Sequence, residues 1–374
     1  MKINLFKDPS SNKKKLHPQY IELKNSHGFK PARTILREIQ KTFQDPDGNF
    51  VEQFQTTGFD QRTFELFLHE LFKSQNFNID RNNDRPDFLL SKGEHTVAVE
   101  AVTANPTNNN GITPYSLFPD EDTTETATEM LYRHEIPIRL GSPLYSKLKK
   151  EYWKLPQVQG KPIVIAIQDF SRPGSLTSSS SALSQYLYGV QYQTHQDSHG
   201  NLMVAHKPIK EHVNGRKTIP SGFFDLPGAE NISGVLFCNT GTIPTFNRIS
   251  HAGKGNDPSL RIIRYGTCYR HDPNATLAAP FMYEIGSYQA PIETWNQGTI
   301  LFHNPKALKP IPIGWLGASA DMYIKDGEHT TTFHDSFHPY MSVTAIFNEN
   351  DNKIKIDEYL RSIWEELIKA YPTT

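Results

Sequence analysis

The sequence predicts an α/β protein built on a mixed sheet. A helical pattern of apolar residues spans 64–72. A short apolar segment, 86–90, and a β-branched or small segment, 96–99, are joined by a turn. A continuous apolar run at 162–167 is typical of a strand that is buried on both faces. One large domain or two ordinary ones can be formed by the chain's 374 residues.

The first element is an amphipathic helix, and it carries the first acid of interest. Its apolar stripe follows the spacing i, i+3, i+4, i+7 and i+8, through Phe64, Phe67, Leu68, Leu71 and Phe72. Glu65 lies on the rim of this stripe, and Asp60 just before the helix is of the type that caps helix N-termini. The alternative for Glu65, taken alone, is a solvated helix charge.

A hairpin of two strands follows this helix and carries two more acids. Pro86-Asp87 opens the first strand, Gly93 marks the connection, and residues 96–99 lead into Glu100. Because hairpin strands are neighbours and the helix packs on them, Glu65, Asp87 and Glu100 can converge. Mg²⁺ and similar hard cations take carboxylate oxygens, water and phosphate as ligands, so the sequence predicts an Mg²⁺ or Mn²⁺ site. The alternative is that Asp87 caps a turn and Glu100 pairs with an arginine.

A second helix and a third strand complete the series. The pattern predicts a helix from about Pro143 to Trp153, with Leu144, Leu148 and Tyr152 on one face, and the buried strand then spans 162–167. The order is therefore helix, strand, strand, helix, strand.

These residues resemble the core of the PD-(D/E)XK nuclease superfamily. The match consists of Glu65 in the leading helix, Pro86-Asp87, and Glu100, which lies thirteen residues beyond Asp87. The resemblance covers roughly residues 60 to 170. It implies a restriction-endonuclease-like αβββαβ core, with one strand still to be placed near 112–118 or 136–140, and metal-dependent hydrolysis of the nucleic-acid backbone.

The chain departs from the family pattern at the lysine. That residue is expected two positions after the second acid, where this chain has Val102. In some members the lysine has moved to a nearby helix, and Lys147 in the second predicted helix is the candidate here. Because its helix comes directly before the predicted strand at 162–167, the Lys147 amine could lie beside Glu100, where it would offset charge at the scissile phosphate and position the attacking water. Alternatively, Lys147 belongs to a solvated helix face.

Candidate nucleic-acid contacts lie outside these motifs. Residues 1–44 are basic, and basic residues interleaved with tyrosines in the second half could contact phosphates and stack on bases. The predicted contacts are Arg139, Arg248, Lys254, Arg261 and Arg264. An ordinary β-rich surface would have the same composition. The net charge of −1 does not favour a chain-wide basic binder but leaves room for a local groove.

The amino-acid composition limits the classes of protein to which the chain can belong. Hydrophobic residues make up 37% and charged residues 21%, which is typical of a globular protein. No apolar run approaches a membrane span, and two cysteines, Cys238 and Cys268, favour the cytoplasm. We divide the chain into a basic arm (1–44), a nuclease-like core (45–240) and a C-terminal elaboration (241–374) that ends in a helix at about 356–370.

The sequence thus favours a metal-dependent endonuclease. DNA as substrate and a role in defence against foreign DNA rest on analogy with soluble bacterial members of the superfamily. Two other classes stay open: a nuclease-fold module that binds nucleic acid without cutting it, and an unrelated α/β interaction protein. The oligomeric state is open too, a homodimer included.

Overall fold

A computed structural model describes residues 3–7, 16–106, 130–171, 175, 180–272, 274–288 and 290–372. The protein is a mixed α/β protein organised around one large sheet. The helices are α1 (Pro18–Asn25), α2 (Lys30–Ile39), α3 (Phe50–Gln55), α4 (Phe59–Ser74), α5 (Ile136–Leu148), α6 (Ser181–Tyr188), α7 (Ile243–His251) and α8 (Lys353–Ala370).

Strands β1 to β4 are Asn78–Asp80, Phe88–Lys92, His95–Ala104 and Ile163–Asp169. Two hairpins follow, β5 with β6 (Val190–Gln196, Leu202–Pro208) and β7 with β8 (Glu211–Asn214, Lys217–Pro220). The remaining strands are β9 (Gly234–Cys238), β10 (Leu260–Cys268), β11 (Ala279–Glu284), β12 (Ile300–His303), β13 (Ala320–Lys325), β14 (Glu328–Phe333) and β15 (Pro339–Asn348).

The large sheet has the strand order β1-β2-β3-β4-β9-β12-β13-β14. Strands β1, β2 and β3 are antiparallel neighbours, while β4 runs parallel to both β3 and β9. Along the chain, α4, β1, β2, β3, α5 and β4 follow one another in the order helix, three strands, helix, strand. Helix α5 supplies the crossover that two parallel strands require.

The strand that could not be placed from the sequence is β1. It has only three residues, Asn-Ile-Asp, and therefore lacks an apolar run. Of the two predicted locations, 136–140 is helical, and 112–118 lies outside the described residues.

Alternation along the strands separates two cores on opposite faces of the sheet. On β3, Val97, Val99 and Ala101 face the core that contains α4, whereas Ala98 and Val102 face the core that contains α5. Strand β4 alternates in the same way, so its apolar run is buried on both faces as predicted.

Two predicted boundaries are corrected by the structure. Helix α5 begins at Ile136 rather than Pro143, with Pro137 in its first turn, and it ends at Leu148. Tyr152 belongs to a separate short turn after Glu151, which has a left-handed backbone with φ of 51°. Strand β3 continues to Ala104, so Glu100 lies inside the strand and not at its end.

The chain's two ends pack onto this framework. Tyr20 and Leu36 of the basic N-terminal segment are buried in the core that contains α4. A second sheet, β11-β10-β15, is covered by α8, whose residues Ile356, Leu360 and Leu367 are buried against it. The large sheet itself crosses the predicted division at residue 240, because β12, β13 and β14 extend it beyond β9.

Candidate active site

Asp87 and Glu100 lie side by side on the face of the sheet that α5 covers. The register pairs Phe88 of β2 with Val99 of β3, so the residues next to this pair face each other as well. Asp87 Oδ2 accepts a hydrogen bond from the backbone N–H of Ala101 at 2.8 Å. The backbone N–H of Asp87 donates in turn to Glu100 Oε2 at 3.3 Å. The two acids are thereby held by each other's strand.

Lys147 reaches Glu100 from α5. Its Nζ lies 2.6 Å from Glu100 Oε1, and the lysine side chain is 23% exposed. The hydroxyl of Tyr152 donates to the same oxygen at 2.8 Å. Two donors therefore occupy Oε1, while Oε2 receives, among the groups that the structure describes, only the long bond from the Asp87 backbone.

Glu65 approaches from the opposite side. It belongs to α4, which covers the other face of the sheet, and it is almost fully buried. Its Oε1 accepts from Arg62 at 2.7 Å and from Gln61 at 3.2 Å, and its Oε2 accepts from Arg81 at 2.9 Å. Both oxygens are thus engaged by side chains, and Glu65 is held in ion pairs with two arginines.

Arg81 is a buried cation beside these acids. Its guanidinium lies 4.2 Å from the ring centre of Phe43 and 4.5 Å from that of Phe88, so aromatic faces enclose it. The positive charge is fixed in place because the side chain is only 5% exposed and pairs with Glu65.

The electrostatics identify Asp87 as the strained member of the group. Burial, followed by the neighbouring carboxylates of Glu65 and Glu100, raises the pKa of Asp87 well above its ordinary value. Arg81 and the Ala101 N–H oppose this shift only in part. Burial and Glu100 also raise the pKa of Tyr152, so its hydroxyl stays protonated and remains a donor.

The donor set fits a divalent cation at two of the three predicted ligands. In the described part of the chain, no group of three or more His, Cys, Asp or Glu side chains is arranged to hold a metal ion. Glu65 is committed to arginines, which disfavours it as a ligand. Asp87 Oδ1 accepts no hydrogen bond from any described group, and Glu100 Oε2 accepts one long bond. Two carboxylates completed by water and phosphate are a usual Mg²⁺ environment.

Val102, at the position where the resemblance predicts a lysine, has an apolar environment. It is buried among the apolar residues of the core that contains α5. The cation at Glu100 is Lys147, as predicted from the sequence, whereas Lys149 and Lys150 of the same segment are exposed. The solvated-face interpretation of Lys147 is therefore wrong.

Two of the predicted phosphate contacts are buried instead. Arg248 pairs with Glu293 at 2.6 Å, and Arg264, with no exposed surface, lies 3.3 Å from the same Glu293 oxygen. Arg264 also donates to Gln297 at 2.9 Å. Guanidinium groups engaged in this way do not face a ligand, so the structure corrects the prediction that Arg248 and Arg264 contact nucleic acid.

The other three predicted contacts remain accessible to different degrees. Arg261 is partly exposed but pairs with Glu284 and Asp357, each at 2.9 Å. Lys254 is exposed, and Arg139 lies partly buried on α5 with interactions of its own. The structure does not bring these three side chains into the group formed by Asp87 and Glu100.

Sequence reasoning missed the partners that fix the acids. Tyr152 follows the apolar pattern of a core residue, and only its hydroxyl, which needs a partner when buried, could have indicated a polar role. Arg62, Arg81 and Gln61 carry no signal in the sequence, because their contacts with Glu65 depend on how α4 packs.

Comparison with known proteins gives no relative. No protein-family model, no curated protein and no solved structure matches the chain. Among the helices that the structure describes, none combines the length and apolar character needed to cross a membrane.

Proposed function

We propose that this chain is a metal-dependent endonuclease that hydrolyses phosphodiester bonds, with DNA as its substrate. The observation that carries the proposal is the arrangement around Glu100: Asp87 lies next to it on the neighbouring strand, and Lys147 reaches it from the crossover helix. A pair of acids with a lysine beside them is what phosphodiester hydrolysis by this family's chemistry requires. In this chain the lysine comes from α5 and not from the position on β3 that Val102 occupies.

The order of elements supports the same proposal. From α4 to β4 the elements run helix, three antiparallel strands, helix and a strand parallel to the third. This order is in keeping with the αβββαβ plan that the resemblance to the PD-(D/E)XK superfamily implies. A role in defence against foreign DNA would be in keeping with that resemblance.

Each side chain has a separate task in the proposed reaction. Asp87 and Glu100 would hold Mg²⁺ or Mn²⁺ through Oδ1 and Oε2. Bound there, the cation supplies positive charge at the scissile phosphate and acidifies a water molecule. Lys147 adds a fixed positive charge and a donor for the attacking water. Glu65 is a positioning residue, because it anchors Arg81 beside Asp87.

The charges around the site suggest that the metal enters together with the substrate. The acids Glu65, Asp87 and Glu100 are matched by Arg62, Arg81 and Lys147, so a dication alone would leave an excess of positive charge. Each phosphodiester group of a bound substrate carries one negative charge and offsets part of that excess. We therefore expect weak Mn²⁺ binding to the free protein and much tighter binding when DNA is present.

The test is cleavage of supercoiled plasmid in Mg²⁺ or Mn²⁺. Glu100→Gln and Asp87→Asn should each lower the cleavage rate by at least about 100-fold, while Glu94→Gln, an exposed acid at the hairpin turn, should not. Equal rates for all variants would refute the site. If the wild type binds DNA but never cuts it in either metal, the inactive binding module is the better description.

A further inference from the structure

A groove lies on the side of α5 that faces away from Glu100. It has a volume of about 770 Å³ and runs between α5 and the hairpin strand β8. Tyr145, Lys149, Trp153 and Lys217 line it. A cavity of this size is large enough for a nucleotide or a ligand of similar bulk.

Close packing at Gly141 forms the floor of the groove. A Cβ at this position would lie 2.8 Å from both the Tyr186 ring and Ile219, so only glycine lets α5 and its neighbours approach this closely. Lys217 of β8 donates to Ser142 of α5 at 2.6 Å and joins the two walls. The groove is therefore bounded by connected elements and is not a gap between independent loops.

The lining combines aromatic faces with positive charge. Tyr145 is 45% exposed, and the Lys149 amine lies 5.3 Å from the centre of its ring. Among the described residues of the lining, the one acid is Glu151, and it pairs with Lys154 at 2.8 Å, so the lysines give this lining a positive balance. Stacking faces flanked by amines are how proteins bind single-stranded nucleic acid, because bases stack on the rings and phosphates meet the amines.

We propose that this groove binds a segment of single-stranded nucleic acid. Bases would stack on Tyr145 and Trp153, and the backbone would be neutralised by Lys149 and Lys217. The proposal rests on the proposed function insofar as the substrate there is nucleic acid. It adds that the protein engages an unpaired strand, such as an end, a flap or a displaced strand, through a surface separate from the catalytic acids.

The same short segment contributes to both surfaces. Lys147 and Tyr152 turn towards Glu100, whereas Lys149 and Trp153 turn towards the groove. Glu151, which has a left-handed backbone, follows Lys147 and Lys149 and precedes Tyr152 and Trp153, and it redirects the chain after α5. A nucleic-acid strand held in the groove would therefore contact the same segment, residues 147–153, whose side chains donate to the Glu100 carboxylate.

The test is direct binding, measured without divalent metal so that cleavage plays no part. The probe is a fluorescently labelled ten-nucleotide poly-dT strand, compared with a ten-base-pair duplex in anisotropy titrations. Tyr145→Ala and Lys217→Ala should each weaken binding of the strand about tenfold, with little effect on the duplex. Lys150→Ala, an exposed lysine on the same segment but outside the groove, is the matched control.

A second readout uses Trp153. Binding of the strand should quench tryptophan fluorescence in the wild type, and Trp153→Phe should remove this quenching. Unchanged affinity in both groove variants, or quenching that persists in Trp153→Phe, would overturn the proposal. Competition by free thymidine monophosphate at the same nucleotide concentration would also overturn it, because the ligand would then be a free nucleotide.

The outcomes separate this proposal from the proposed function. If plasmid cleavage depends on Glu100 while the groove variants bind the strand normally, the groove proposal fails and the endonuclease stands. If the groove variants lose strand binding but no metal supports cleavage, the groove stands and the endonuclease fails.

Discussion

Replacing Asp87 by asparagine should stabilise the protein while it removes activity. The asparagine side chain has the shape of aspartate, and its oxygen can still accept the hydrogen bond that Asp87 Oδ2 receives from Ala101. What disappears is a partly buried negative charge close to two other carboxylates, those of Glu65 and Glu100. Functional sites commonly retain such strain at the expense of stability.

The sign of the pH dependence follows from the direction of the pKa shift. Burial, Glu65 and Glu100 raise the pKa of Asp87 in the folded chain above its unfolded value of about 4. In the window between these two values the folded state binds a proton that the unfolded state has released. Stability therefore falls as the pH rises through this window, and the loss persists above the folded pKa. Asp87→Asn removes this contribution.

The size of the effect follows from the charges that surround Asp87. Like charges about 6 Å apart repel by roughly 3 kcal/mol at an effective dielectric constant of about 20. Two acids repel Asp87, and Arg81 offsets part of that repulsion, so we expect a net gain of about 1–3 kcal/mol at pH 8. With about 2.1 cal/mol/K of unfolding entropy per residue over 374 residues, this corresponds to roughly 1–4 °C in Tm.

The assay is thermal and urea unfolding of both proteins at pH 5 and pH 8 without metal. The stability difference between Asp87→Asn and the wild type should be larger at pH 8. Asp84→Asn, an exposed aspartate in the same turn, is the control and should change neither value. If Asp87→Asn is less stable than the wild type at pH 8, the claim that repulsion from Glu65 and Glu100 destabilises the folded state is refuted.

Three further predictions concern side chains that the structure places around the acids and in the second sheet. Lys147→Ala should lower the cleavage rate about 100-fold with little change in DNA affinity, whereas Lys150→Ala should cut normally; equal losses would mean that the helix only binds phosphate. Tyr152→Phe should lower the rate about tenfold at unchanged affinity, because one bond to a charged acceptor is lost, and a wild-type rate would exclude a positioning role. Arg264→Met should lower the free energy of unfolding in urea by about 3–5 kcal/mol, because Glu293 loses a buried partner. The salt dependence of DNA binding should stay unchanged, and a smaller dependence would mean that Arg264 contacts phosphate.

The parts of the site that local patterns determine could be predicted from the sequence. The helical spacing around Glu65 and the strand character around Glu100 depend on neighbours in the chain, and α4, β2, β3 and β4 are found where these patterns lie. The place of Lys147 followed from the position of its helix before the buried strand. Its contact with Glu100 is confirmed, and its role in catalysis stays a prediction.

The parts that depend on distant partners could not be predicted. Arg264 belongs to a basic, aromatic stretch that is typical of a nucleic-acid surface, but Glu293, Gln297 and Tyr283 surround it after folding. The same holds for β1, because three residues with one apolar side chain form a strand only when β2 offers an edge. The contacts of Arg264 join residues 19 to 33 positions apart, whereas β1 depends on partners only 9 to 13 residues further along the chain.

The strand order has a consequence for how the protein is made. Strand β9 lies between β4 and β12, and the core over α4 includes Leu301, Leu316 and Ala318 as well as residues from the first half. While the ribosome delivers the chain from its N-terminus, the outer edge of β9 has no neighbour until residues 300–303 emerge, and an open edge invites pairing with other chains. Residues up to 303 must therefore leave the ribosome before β9 gains its second neighbour, and until then the unpaired edge exposes the nascent chain to aggregation.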